Sequence, residues 1–78
     1  MPMDFNIPNY LQKVLDKYPL RRLKCRAEIE LRELTEDGII HSWDCRYIRD
    51  AEGYRCGVIC AWKRTSQNHV ADTVKIHA

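Results

Sequence analysis

The stretch from Ile39 to Arg64, IIHSWDCRYIRDAEGYRCGVICAWKR, leaves this chain few folds to choose from. It reads as two long amphipathic β-strands joined by one turn. Ile39, His41, Trp43, Cys45 and Tyr47 share one face of the first strand, and Tyr54, Cys56, Val58, Cys60 and Trp62 share one face of the second. Both tryptophans and three of the four cysteines therefore point the same way. An inward row of that bulk is what a small sheet uses as its core.

The rest of the chain is read as what that hairpin needs to close its core. Residues 1–8 form an irregular lead-in punctuated by Pro2 and Pro8, each biasing its predecessor away from helix. A short helix over 9–18 follows, with Leu11, Val14, Leu15 and Tyr18 on one stripe. Asn9 can cap it, or Asn6 if Pro8 sits in the first turn, where a missing N–H costs little. From residue 21 the chain alternates: Leu23, Cys25, Ala27, Ile29 and Leu31 on one side, Lys24, Arg26, Glu28, Glu30 and Arg32 on the other. We read this as a half-buried strand. Its rival is a helix, since AEIELREL is rich in helix formers.

Glu36-Asp37-Gly38 then suits a three-residue hairpin loop with Gly38 left-handed. It sets Leu31 beside Trp43 and Ile29 beside Cys45, so that apolar faces coincide. Asp50-Ala51-Glu52-Gly53 makes a second hairpin and Ser66-Gln67-Asn68 a third turn, after which Val70, Val74 and Ile76 alternate as a last strand. Asp72 on its inward side marks that strand as an edge. The expected architecture is α+β: one short N-terminal helix packed on a four-stranded antiparallel β-meander. It forms a single domain over residues 1–78, with the sheet spanning 21–78.

Composition bounds what such a domain can be. With 78 residues, 45% hydrophobic and 31% charged, it is one ordinary soluble domain. A chain of this size buries only about 60% of the surface its unfolded form exposes, so a homodimer would help it. The net charge of +2 is too mild to announce a nucleic-acid or membrane partner. No apolar run approaches a signal-peptide core or a membrane span, and MPMDFNIPNY carries no basic segment. The reading is a chain complete from Met1 and a cytoplasmic location.

Candidate chemistry is sparse. Cys25, Cys45, Cys56 and Cys60 include no C-x2-C pair. Cys56 and Cys60 stand roughly 13 Å apart in an extended strand at about 3.3 Å per residue, too far to share one zinc ion. All four read as buried core thiols, with no metal and no cofactor implied. A shift of the second hairpin by one pair of residues would instead make Cys45 and Cys60 cross-strand neighbours and the disulfide candidates. Cys60 with His41 is the one pairing with the chemistry of a nucleophile and base, and both fall on the buried face. No catalytic set is assigned, and a non-enzymatic role is expected.

The outward face carries more information. In these registers Lys24, Arg26, Arg46 and Arg55 converge at one end of the sheet, with Arg21, Arg22 and Arg49 nearby, giving a local basic patch. Cross-strand pairs such as Glu28 with Arg46 are its ordinary solvated form. Farther along, Ile40, Ile48, Ile59 and Ala61 are apolar where water is expected, and Gly57 with Ala61 leaves Ile59 on a flat strip. The resulting expectation is a binding or regulatory protein that meets another protein through a sheet face or edge, with no membrane. Nucleic-acid binding through the basic patch is the alternative. The inward aromatics argue against it, because base stacking needs exposed rings.

Overall fold

The computed structural model describes residues 5–78. Within them the chain runs α1 (Ile7–Leu15), α2 (Leu20–Glu36), β1 (Ile40–Arg49), β2 (Arg55–Arg64) and β3 (Gln67–His77). The sheet is three-stranded and antiparallel, in the order β1-β2-β3. A four-stranded meander starting at residue 21 is therefore incorrect: residues 20–36 are helix, and the sheet begins at Ile40.

The physical reason lies in a spacing of four. Leu23, Ala27 and Leu31 are buried, and residues four apart share a face both in a strand of period two and in a helix of period 3.6. What separates the two patterns is the remainder. A strand would bury Cys25 and Ile29 as well, yet Cys25 is exposed and Ile29 half-buried, while Leu34, three residues beyond Leu31, is buried. Ion pairs at i, i+4 add local support: Lys24 Nζ to Glu28 Oε2 at 3.0 Å and Arg26 Nη2 to Glu30 Oε1 at 3.1 Å.

Both helix ends follow from named residues. The Asn6 side chain accepts the Asn9 amide N–H at 2.9 Å and Pro8 lies in the first turn, so α1 begins at Ile7 rather than at residue 9. It buries Ile7, Leu11 and Leu15 and ends there, leaving Tyr18 outside the helix. The part of the expected lead-in over residues 1–4 lies outside the described residues. At the end of α2, Gly38 adopts φ of 77°. The Gly38 amide donates to the Thr35 carbonyl at 3.1 Å and the Ile39 amide to the Leu34 carbonyl at 3.0 Å. Those two bonds make a Schellman C-cap. Gly38 is left-handed as the sequence suggests, but it ends a helix instead of turning a hairpin.

Two irregularities set the strand faces. Between Ile40 and Ser42 the register slips, so Ile40 turns into the core at 1% exposure and His41 points to solvent. Ile40 is thus a core residue and no part of the outer strip. The β1–β2 turn closes with Arg49 opposite Arg55, one residue later than expected, and a second slip, between Ile48 and Arg49, adds another, so the two together move the hairpin by one pair. Asp50 anchors the turn: its amide donates to the Tyr54 carbonyl at 2.8 Å, and its carboxylate accepts the amides of Glu52 and Tyr54 at 3.0 and 2.9 Å. Gly53 takes φ of 88°. Trp43 pairs with Trp62, Cys45 with Cys60 and Tyr47 with Val58. Tyr54, expected in the inward row, stays in the turn with 73% of its surface exposed.

The helices cover one face of this sheet, α2 lying against β1 and β2 and α1 against β3. Leu11, Leu15, Leu23, Leu31, Val58, Cys60, Trp62 and Ile76 fill the space between. Arg64 donates a hydrogen bond to the Phe5 carbonyl, fastening the start of the described chain to the end of β2. Among the described residues, no element covers the opposite face.

Candidate functional site

The uncovered face is laid out by the register. Since Val58, Cys60 and Trp62 point into the core, Gly57, Ile59, Ala61 and Lys63 point away from it. Their neighbours on either side give the cross-strand rows Ile48–Gly57–His77, Arg46–Ile59–Lys75, Asp44–Ala61–Thr73 and Ser42–Lys63–Ala71. Ile48, Ile59 and Ala61 are half-buried and form an apolar centre. Arg46, Lys63 and Lys75 surround it, and Asp44, bonded to Arg46 Nε at 2.7 Å, is the one acid in these rows. Gly57 is needed where it stands: a Cβ there would run into the carbonyl oxygen of Ile76 on β3. A shallow depression of about 170 Å³ opens beside the centre, lined by Ser42, Asp44, Ala61, Lys63 and Ala71 over the two tryptophans.

The expected basic patch is divided among three places. Arg46 alone lies on the uncovered face, and it pairs with Asp44 rather than with Glu28. Arg21 and Arg22 are exposed on the first turns of α2, where with Cys25, Arg26 and Ile29 they line a groove of about 280 Å³. Arg26 is held by Glu30 and lies 5.5 Å from the Tyr18 ring centre. Lys24 and Arg55 do meet, but through a helix crossing a strand: Lys24 Nζ stands 5.6 Å from the centre of the Tyr47 ring and the Arg55 guanidinium 4.0 Å. The Lys24 ammonium is raised above its ordinary pKa by its hydrogen bond to Glu28. Arg49 Nη1 donates to the Gly53 carbonyl at 2.8 Å, which commits it to the turn.

A polar cluster that the strand reading hides joins the two helices. Glu30 is 4% exposed and accepts from Tyr10 Oη at 2.6 Å and from Arg26. Donation to that carboxylate pushes the Tyr10 phenol up to about 12. Placed on a strand, Glu30 belongs to the solvent side. On a helix it falls beside Leu23 and Leu34 at the margin of the buried stripe, so a 3.6-residue period would have revealed it.

Cys60 faces Cys45 and is fully buried, whereas His41 is exposed at the bulge, so the two do not form the nucleophile–base pairing. Cys25 is exposed and Cys56 half-buried, which corrects the reading of four core thiols; all four are free. Among the described residues, no group of three or more His, Cys, Asp or Glu side chains gathers to hold a metal ion. No helix among them is long and apolar enough to cross a membrane. Compared with protein-family models, with curated proteins and with solved structures, the chain matches none.

Proposed function

We propose that this chain is a non-enzymatic binding protein that engages another protein through the uncovered face of its sheet. The observation that carries this reading is the apolar centre of Ile48, Ile59 and Ala61, left bare by the chain's own helices and ringed by Arg46, Lys63 and Lys75. An apolar centre with a charged rim is the anatomy of a protein interface, and a rim of this sign fits a partner whose own rim is acidic. The free edge of β3 borders the same face, and its paired stretch from Ala71 to His77 contains no bulge to discourage an added strand.

The test is affinity capture from source-cell lysate by the wild-type chain and by Ile59→Glu, each with and without nuclease. The expected result is a protein that survives nuclease and is lost with Ile59→Glu. Capture that Ile59→Glu leaves unchanged, or that nuclease abolishes, rejects the reading.

Nucleic-acid binding is the second reading, and one observation favours it beyond what the sequence suggests. Tyr54 is exposed beside Arg55, and Tyr47 carries two cations at its ring, so aromatic and basic groups do meet at the β1–β2 turn. Under this reading, binding to a single-stranded oligonucleotide weakens steeply with salt, and Arg55→Ala lowers the salt slope by roughly one unit. Binding that is indifferent to salt eliminates it.

A further inference from the structure

We propose that Cys45 and Cys60 form a thiol–disulfide site, in which a small-molecule disulfide of the glutathione type takes two electrons from the pair and a covalent bond closes between β1 and β2. The two residues are directly opposed in the register. Opposed Cα atoms in antiparallel strands lie about 4.5 Å apart in a non-hydrogen-bonded pair and about 5.5 Å apart in a hydrogen-bonded one. Both values fall within the roughly 4.4–6.8 Å that a disulfide spans.

The two thiols differ in a way that assigns their roles. Cys60 is fully buried on the central strand, while Cys45 keeps 8% exposure on the edge strand β1. A hydrogen bond between them lowers Cys45 and raises Cys60; burial, Glu28 and Asp44 work against the Cys45 thiolate, and Lys24 favours it. Cys45 is therefore the attacking sulfur. Its thiolate attacks one sulfur of the small disulfide, forming a mixed disulfide and releasing one small thiolate, which takes up the proton that Cys45 gave up. Cys60 then loses its proton and attacks the Cys45 sulfur, breaking the mixed disulfide and releasing the second small thiol. Two protein thiols and one disulfide become one protein disulfide and two thiols, and atoms and electrons balance.

The other cysteines lack such a partner. Cys25 is exposed on α2, and Cys56 lies four residues along β2 from Cys60, roughly 13 Å at about 3.3 Å per residue. Both can take a mixed disulfide, but neither has a thiol opposite to resolve it. Closing the site has a consequence for the uncovered face, because Cys45 stands between Asp44 and Arg46 and Cys60 between Ile59 and Ala61. Oxidation thus locks the strand centres that carry the apolar patch.

The experiment uses the full chain as Cys25→Ser/Cys56→Ser, folded, equilibrated in buffers of graded reduced-to-oxidised glutathione ratio, acid-quenched, alkylated and weighed intact. The expected product has lost two hydrogens, carries no glutathione, and on digestion links the peptide of Cys45 to that of Cys60. Its melting temperature rises by about 5 °C or more, and reductant reverses the rise. Two thiols that remain open to alkylation at the oxidising end overturn the proposal, as does a glutathione adduct that persists on Cys45 or a link that forms only in denaturant. Should the double variant not fold, the same mapping on the unaltered chain decides between a Cys45–Cys60 link, which supports the site, and any other, which rejects it.

Discussion

Glu30 carries the chain's one deeply buried charge among the described residues, and its environment explains why it is tolerated. A carboxylate taken out of water costs several kcal/mol unless donors replace the lost solvation. Tyr10 and Arg26 supply them from two helices, so the cluster also fixes how α1 sits on α2. Tyr10→Phe should therefore cost about 1–3 kcal/mol in urea or thermal denaturation, because Glu30 stays buried with one donor fewer. The pH dependence has a definite sign. Tyr10 is raised from its ordinary value of 10.0 to about 12 in the folded chain, so its contribution is complete below pH 10 and is lost as pH climbs through about 12. The stability gap between wild type and Tyr10→Phe should be flat from neutral pH to about 10 and close above it. A gap that persists undiminished well above that range contradicts the hydrogen bond. Gly57 gives a second prediction at this scale. Gly57→Ala drives a methyl group against the Ile76 carbonyl and should destabilise the chain by about 1–3 kcal/mol, with hydrogen exchange rising first in β3.

At the scale of elements, the α2–β1 junction decides the architecture. Leu34, Thr35, Gly38 and Ile39 together stop the helix with two capping bonds, and the chain enters β1 one residue later. Gly38 has nothing near it to meet a side chain, so the cost of replacing it is conformational rather than steric. Gly38→Ala should lower stability by about 1 kcal/mol, and Gly38→Asn by less, since Asn tolerates the left-handed region. Equal losses for the two, measured by thermal unfolding, would exclude the left-handed cap as the cause. Asn6→Ala at the start of α1 is expected to cost about 1 kcal/mol as well. These ends were legible in part. Gly38 as a left-handed position and Asn6 with Pro8 as a helix start can be read from residue type, because caps are local chemistry. The identity of the segment that Gly38 terminates cannot, because LRRLKCRAEIELREL satisfies two periods at once and only the position of the sheet says which side chains are covered.

For the whole molecule, the governing fact is that two helices cover one side of a three-stranded sheet and that the described residues leave the other side bare. A chain of 78 residues has little apolar area to spare, and covering Ile48 and Ile59 with a second copy would recover some of it. Self-association is therefore the first form of the proposed protein contact to measure. Sedimentation at several concentrations should show the wild-type chain associating at micromolar concentration, and Ile59→Glu, whose charge faces away from the core, should be folded and monomeric. A wild-type chain that is monomeric at high micromolar concentration leaves the face to a different protein. An Ile59→Glu chain that still associates moves the contact to the edge of β3.

What the sequence determined by itself is what depends on neighbours within a few residues. The β1–β2 hairpin, the inward course of Trp43, Cys45, Tyr47, Val58, Cys60 and Trp62, the edge position of the last strand and the apolar character of Ile59 all follow from alternation and turn chemistry. Tertiary structure decided whatever depends on a surface from elsewhere in the chain. Leu23, Ala27 and Leu31 fit a strand or a helix until α2 lies on the sheet. Ile40 reads as an outward residue until a bulge turns it inward. Cys45 and Cys60 become neighbours only because the turn closing on Arg55 and the slip at Ile48 and Arg49 together chose one of two registers that both keep apolar faces together. Each of these is a choice between locally equivalent arrangements, and burial across the core is the free energy that separates them.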